Sequence, residues 1–557
     1  MIVDFDNLNK KQEQILDRIK YEVISDFNDI SSRLLDESED IRWYINNATS
    51  RNTNYSNFLY YMQCVALLTE IELENSIDCI YTSDKWLYLI LKEKYNVVKK
   101  RTFHFSIKTI KEKLYPFYQN LTWSFFAFIN KSMKRVESIK MNRFVTILDV
   151  DIAQKTDRYY DRYYGNVLDR LPDKYSQKCY YMIIYLPIPH RNEIKMIEKN
   201  TKHNILFLWD FLKFSDYIKT LMRLFFYTPP KIEGYYYKNI NLDLYIQYLS
   251  KSNFNFYYYL ALLYVRAINN MRNKNIDIGL YIDWFENQSF DKSLYWAMNI
   301  YYPNVNIHSF HGFLVDTAIS PFTIATNKEY NLNIAPKEIF LSSQALADQY
   351  HNSNYLGKIK TAPCYRAQKV WIEKRNMDKK STFRLLVPLD LSQKDVFAKI
   401  NFFKSAKEAN KLSAVNITIK PHPVFDKSLI KSYLGSTDKI EIADGDIYSY
   451  FSAADCIIAS NSTTTFEALA LGIPVISLDL KGGSRYLERP QNIPSDMWYY
   501  ANDIASLEEA IKCIDNIELQ TFKEKGEKIR MYYFEKETEI KNYELFNIDI
   551  RSLVSTK

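Results

Sequence analysis

The stretch from 416 to 479 constrains this chain more than any other. It opens with NITIKPHPVFD (416–426) and closes with DCIIASNSTTTFEALALGIPVISLD (455–479). The closing segment reads as one unit of an α/β sheet: a buried strand over 456–459, a polar turn over 460–465 and a helix over 466–471. Gly472 and Pro474 stop that helix, and a second strand follows over 475–478. A strand that feeds a hydroxyl-rich helix N-terminus makes an anion site, because free backbone N–H groups, the positive end of the helix dipole and hydroxyl donors converge there. A capped helix accounts for one Ser or Thr. Five of the six positions from Ser460 to Thr465 are Ser or Thr, with Asn461 between them, and that favours phosphate capture.

Upstream, 417–420 reads as a strand ended rigidly by Pro421 and Pro423, with His422 held between them. In an open α/β sheet, ligands sit beyond the carboxyl ends of the strands, which is where His422 and the 460–465 turn meet. The order K-P-H-P and then, some forty positions on, S-N-S-T-T-T-F-E-A-L resembles the HP and SS/ST motifs of bacterial GT-B glycosyltransferases. That group builds capsules, O-antigens and sialylated surface glycans, and includes the Kdo-transferase and bacterial sialyltransferase families. The paired motifs point to the superfamily and not to one sugar.

Composition narrows the field. At 557 residues the chain is too long for one core, so two or three domains are expected. Hydrophobic content of 47% and charged content of 25% are those of an ordinary globular protein. Six scattered cysteines form no C-x-x-C pair, which argues against a zinc site or a disulfide framework and for a reducing cytoplasm. The N-terminus lacks a basic-then-apolar leader, and no run reaches the ~18 apolar residues of a membrane span. A net charge of +7 is modest for this length, and no nucleic-acid partner is expected. With only 11 Gly, those near the proposed site (Gly312, Gly445, Gly472, Gly482 and Gly483) suggest turns or close backbone approach.

In chain order, 1–72 reads as largely helical, with helices over 6–34 and 55–73. A strand over 76–82 and a helix over 85–95 then begin an α/β pattern. The segment 99–143 carries eleven Lys or Arg against two Glu, interleaved with aromatics such as Phe117, Tyr118, Phe125 and Phe128. Such a segment suits an anionic membrane surface and a lipid-linked acceptor. A core helix over 121–130 flanked by solvated charges explains it equally. Further strands are expected over 144–152, 180–186 and 205–208. Between them, YYDRYYGNVLDRL (159–171) resembles a recurrent segment of surface-carbohydrate enzymes and suggests Asp161 and Arg162 as cleft residues, although Tyr-rich packing serves as well.

Residues 278–299 read as a strand, a turn and a helix, with Asp283 and Glu286 at the strand end and Asp291 and Lys292 opening the helix. A strand over 306–309 leads into His311 and Gly312. Chemistry at an anomeric carbon needs a carboxylate, as a base on an acceptor hydroxyl or as a nucleophile. Glu286 is the first choice and Asp283 the second. The order W-F-E-N-Q-x-x-x-K-x-L and H-x-F-H-G also resembles the amino-terminal half of the same glycosyltransferases. Strand and helix follow over 339–342 and 344–350, and 358–375 closes this half, with Arg366 as a candidate substrate contact. The charged linker 377–382 marks the boundary. A second half then opens with a strand over 383–391 and a helix over 394–412. A helix is expected over 505–514 and one long terminal helix over 522–542.

The resemblance spans 144–515 in motif order. It implies an α/β GT-B fold: two Rossmann-like domains facing a cleft, with an additional helical N-terminal region. The divisions are 1–143, an acceptor-side domain over 144–376, a nucleotide-donor domain over 383–515, and a terminal helix over 516–557 that packs back. The implied activity is transfer of a sugar from a nucleotide donor to a cell-surface polysaccharide or lipid-linked glycan, with a CMP-activated acidic sugar as the first choice. Ser460, Asn461, Ser462, Thr463 and Thr464 would hold the donor phosphate. His422 would contact it or protonate the leaving group, with Lys420 in support and Glu467 on a ribose or base hydroxyl. Asp161, His311 and Arg366 are candidate substrate contacts. N–H dipoles and His422 meet the leaving-group charge, so neither metal nor cofactor is expected. Asp149 and Asp151 have D-x-D spacing but lie in a strand. The enzyme is expected in the cytoplasm, at the inner face of the plasma membrane if 99–143 touches lipid. A CDP-polyol phosphotransferase of the teichoic-acid type, a nucleotide-sugar epimerase and a non-catalytic scaffold are the alternatives.

Overall fold

The computed structural model describes residues 1–549 apart from 54, 101–106, 143–144, 152–162, 187–189, 253–254, 315–320, 376–381, 391, 423–424, 426, 435–439, 461, 481–486 and 491. The amino-terminal region combines helices with a small parallel sheet of β1 (Ile2–Asp4), β2 (Cys79–Thr82) and β3 (Val97–Lys99). Helix α1 (Lys10–Leu34) starts at a capping box, in which Asn9 accepts from the Gln12 N–H and Gln12 accepts from the Asn9 N–H. It packs against α2 (Phe58–Glu74), which is apolar on nearly every side and therefore buried. Within the basic segment, α3 (Ile107–Ile129) is one long helix rather than the short core helix over 121–130.

The first large sheet has seven parallel strands. They are β4 (Val145–Asp151), β5 (Cys179–Tyr185), β6 (Asn204–Phe207), β7 (Ile278–Trp284), β8 (Asn306–His311), β9 (Glu338–Leu341) and β10 (Lys358–Thr361), in the order β10-β9-β8-β7-β4-β5-β6. Their continuous apolar runs follow from burial of both faces, which parallel sheets require. Helices α4 (Phe214–Phe225), α5 (Phe256–Asn273), α6 (Ser289–Tyr301) and α7 (Gln344–Asn352) connect these strands. Gly312 follows β8 because a Cβ there would lie 2.4 Å from the Trp284 ring.

The second sheet has six parallel strands: β11 (Phe383–Pro388), β12 (Val415–Lys420), β13 (Ile440–Ile442), β14 (Cys456–Ile458), β15 (Val475–Leu478) and β16 (Trp498–Ala501). Their order is β13-β12-β11-β14-β15-β16. Helix α8 (Gln393–Glu408) follows β11, and α9 (Thr463–Ala470) joins β14 to β15. Of the boundary linker 377–382, residues 377–381 lie outside the described residues. Both sheets are Rossmann-like, and each has its own hydrophobic core.

The expected single helix over 522–542 is two helices, α10 (Leu519–Tyr533) and α11 (Glu539–Leu545). Tertiary contact decides the break. The N–H of Glu535 donates to the carbonyl of Ser342, and the carbonyl of Glu535 accepts from the N–H of Cys364, so this stretch is spent on the first domain. Thr538 then caps α11. Leu545, Phe546 and Ile548 finish in the core of the first domain. Gly472, at φ +76° after α9, lies against the backbone of Phe522, where a side chain would clash.

Candidate active site

The carboxyl edge of the second sheet is built by three strand ends and one helix start. Helix α9 begins three residues earlier than its apolar pattern suggests, because Ser462 is the cap and the Thr residues form the first turn. The Ser462 hydroxyl oxygen accepts from the N–H of Thr464. Thr465 closes the turn beneath: its hydroxyl donates to the carbonyl of Ser460 at 2.8 Å and accepts from the N–H of Ser460 at 3.0 Å. Ser460 and Thr465 are buried, so the hydroxyls with open access are those of Ser462 and, in part, Thr463 and Thr464. Asn461 lies outside the described residues.

At the ends of β11 and β12 stand Asp390, Lys420 and His422. The nearly buried Lys399 ammonium donates to Asp390 at 2.5 Å and to the carbonyl of Ala459 at 2.9 Å, tying the end of β11 to the start of the Ser/Thr turn. Half-burial lowers the pKa of His422, and Lys420 acts in the same direction while Asp390 opposes it. The imidazole is therefore neutral near pH 7 and offers an N–H donor. Burial also lowers the pKa of Lys420, helped by Lys427 and opposed by Asp444 and Asp446. Glu467, on α9, sits beside the hydroxyls of Tyr448 and Thr463. Burial raises its pKa, against the pull of the exposed Arg366. Arg366 belongs to the first half of the chain, and Lys369 nearby pairs with Asp446 of the second.

The carboxyl edge of the first sheet carries the carboxylates. Glu286 follows β7, and its Oε1 accepts from the indole Nε1–H of Trp284 at 2.8 Å. The Trp284 ring meets Tyr163 edge-on, at 4.4 Å between centroids, and stacks on Phe313. Two buried aspartates hold the backbone of this loop. Asp149 accepts from the N–H of Trp284 at 2.8 Å, and Asp291 accepts from the N–H groups of Glu286 at 3.0 Å and Gln288 at 2.7 Å.

Asp283 does not reach the cleft. It is completely buried, accepts from the Tyr295 hydroxyl at 2.5 Å, and faces Asp149. Burial raises the pKa of both carboxyls, Asp149 to about 6, and the charge of Asp149 pushes Asp283 higher still. His311 is likewise enclosed beside Phe313 and Tyr350, and burial lowers its pKa to about 4. Both side chains are completely buried, so neither faces the cleft. Asp161 lies outside the described residues. Trp284, Asp390 and Lys399 carry no sequence signal of their own, although Trp284 stands within the W-F-E-N segment; Asp149, noted in sequence only for its D-x-D spacing, is buried beneath the loop.

A cleft of about 1580 Å³ separates the halves. Ser460, Ser462, Thr465 and Phe466 line one wall, and Leu314, Pro321 and Asp348 the other, with Tyr21 and Asn28 of α1 at its side. Among the described residues, no group of three His, Cys, Asp or Glu side chains is arranged to hold a metal ion.

The chain thus sets two Rossmann-like parallel sheets on either side of this cleft. No protein-family model matches the chain, and no curated protein matches it. Solved structures similar to it include a putative UDP-N-acetylglucosamine 2-epimerase from Listeria monocytogenes, with 10% identity over 75% of this chain and 98% of that one, at a TM-score of 0.40. The wall teichoic acid polymerase TagF is 11% identical over 81% of this chain and 100% of its own, at 0.38. A trehalose 6-phosphate synthase from Burkholderia multivorans is 10% identical over 74% and 98%, at 0.37.

Proposed function

We propose that this chain is a GT-B glycosyltransferase, with a nucleotide-activated sugar held by the second domain and an acceptor by the first. One observation supports the reading: the start of α9, with Ser460, Ser462 and Thr465, lines a cleft whose other wall is formed by Leu314, Pro321 and Asp348 of the first half. One sheet edge offers the start of α9 with Ser462, Thr463 and Thr464, and Lys420 and His422 at the end of β12. The other offers Glu286 on the Trp284 indole.

In this reading the acceptor hydroxyl attacks the anomeric carbon and passes its proton to the Glu286 carboxylate. The bond from that carbon to the donor phosphate oxygen breaks, and the phosphate leaves with the electron pair. Its charge meets the α9 N–H groups, the Ser462 and Thr464 hydroxyls and the Lys420 ammonium, so the step runs without a metal. His422, neutral in the free protein, donates its N–H to the phosphate. The added negative charge raises its pKa and makes proton donation easier. Glu467 takes a nucleoside hydroxyl. The resemblance favours a CMP-linked acidic sugar, and Lys420 and Arg366 supply the positive charge such a donor needs. The acceptor is a bacterial cell-surface or lipid-linked glycan.

Release of CMP from CMP-activated acidic sugars in the presence of glycan acceptors tests this. The expected result is acceptor-dependent release that Glu286→Gln reduces at least about a hundredfold. Release by the variant at the wild-type rate, or none from any activated sugar, overturns the reading. CDP release from a CDP-polyol assigns the chain to the phosphotransferases instead.

A further inference from the structure

Two helices of the first domain leave large apolar side chains in water. On α3 these include Tyr118, Phe125 and Ile129, and on α4 Phe214, Met222 and Phe225. They range in exposure from 52% at Met222 to 72% at Phe225. The helices are joined at the surface, where the rings of Phe128 and Phe214 lie 5.3 Å apart. A contiguous exposed apolar face of this kind is an interaction surface, whereas single exposed apolar residues are ordinary.

The exposed charge carried by these two helices near the face is basic. Residues 115–136 contain no acidic residue, and Lys131 and Lys134 follow the end of α3. On α4 the exposed charged residues are Lys213, Lys219 and Arg223. The acid of that helix, Asp216, is turned inward, where it accepts from the Asn270 side chain at 2.8 Å and from the Lys213 N–H. A helix with an apolar stripe, a basic rim and its one acid inside is built to lie on an anionic bilayer.

The position fits a membrane-borne substrate. The Trp123 indole of α3 donates to the carbonyl of Leu186, just past the carboxyl end of β5, and α4 follows the end of β6. The face therefore flanks the sheet edge that carries Glu286. Strand β5 is two positions from β7, about 10 Å at the usual strand spacing. No described helix is long and apolar enough to cross a membrane, so the contact is lateral.

We infer that α3 and α4 together form a docking face for an anionic lipid surface. The inference stands apart from the transferase reading, because vesicle binding needs neither donor nor Glu286. The test is co-sedimentation of the full chain with vesicles of phosphatidylcholine, with and without about one-third phosphatidylglycerol, at low and high salt. Wild type is expected to pellet with the anionic vesicles and to be released by salt. Lys219→Glu with Arg223→Glu, and separately Phe225→Ser with Phe226→Ser, should each weaken binding about tenfold or more while leaving the melting temperature unchanged. All four positions are exposed, so the variants are expected to fold. Failure of wild type to bind anionic vesicles, or full binding by the charge-reversed variant, overturns the inference. Self-association through this face, abolished by the Phe variants with no vesicle binding, also overturns it.

Discussion

The indole N–H of Trp284 donates to the carboxylate of Glu286 at 2.8 Å, two residues along the same loop. The bond fixes the orientation of the Glu286 carboxylate against the indole. Trp284→Phe keeps the ring among Tyr163, Phe310 and Phe313 but removes the donor. The expected outcome is a fall in kcat of roughly tenfold with little change in donor KM, because the bond orients the base and not the donor. Steady-state kinetics decide it; an unchanged kcat assigns Trp284 to packing alone.

A second prediction concerns the buried carboxyl pair. Asp149 and Asp283 both titrate above the usual carboxylate value, so the folded state holds a proton that the unfolded chain has released by neutral pH. Stability from that proton is complete below about pH 4 and is lost as pH rises through about 6 for Asp149 and higher for Asp283. Asp283→Asn removes one charge and keeps a hydrogen-bond donor. Melting temperature followed from pH 5 to 8 should decline less in this variant than in wild type. A steeper decline would show that both carboxylates are ionised and separately paired.

The amino-terminal region is held to the first domain by a buried ion triad. Arg51 donates to Glu329 at 2.8 Å and Lys292 to the same carboxylate at 2.5 Å, and Arg51 also donates to the carbonyls of Pro321 and Ile324 at the cleft wall. Arg51→Met leaves Lys292 as the one remaining cation of the triad and should cost about 3–5 kcal/mol, read as a lower urea midpoint. The cations hold Glu329 near a pKa of about 2, below its usual 4.5. Stability from that ionised carboxylate is present above pH 4.5 and is lost as pH falls through 2. The variant should accordingly lose stability at a higher pH on the acid side, and an unaltered acid limb would contradict this.

Much of the fold was legible because parallel strands buried on both faces read as apolar runs, and the strands around 145–151, 278–284, 415–420 and 475–478 stand within a residue or two of their expected limits. The start of α9 was misplaced because Thr463 to Thr465 serve at once as hydroxyl donors and as the first helical turn, and polarity does not separate the two roles. Asp283 and His311 stand at strand ends, where the sequence pattern expects cleft residues. Depth decides their role, and it depends on Tyr295, Phe313 and Tyr350, which are distant in sequence or unremarkable within it. The break between α10 and α11 was illegible for a similar reason: Glu535 trades helical hydrogen bonds for Ser342 and Cys364 of the other domain. The apolar face of α4 was overlooked because its stripe has the period of any amphipathic helix, and only the fold shows that nothing covers it.

The most direct test of the donor site is calorimetric titration of CMP, CDP, UDP, GDP and dTDP into wild type, Ser462→Ala and His422→Ala. Ser462 caps α9 at the open end of the turn, and His422 stands just past the end of β12, two strands from β14. The prediction is that wild type selects one nucleotide, CMP by the preferred reading. Each substitution should then weaken binding about tenfold, or roughly 1.4 kcal/mol. Binding of no nucleotide by wild type, or equal affinity in both variants, would contradict a phosphate site at this helix start.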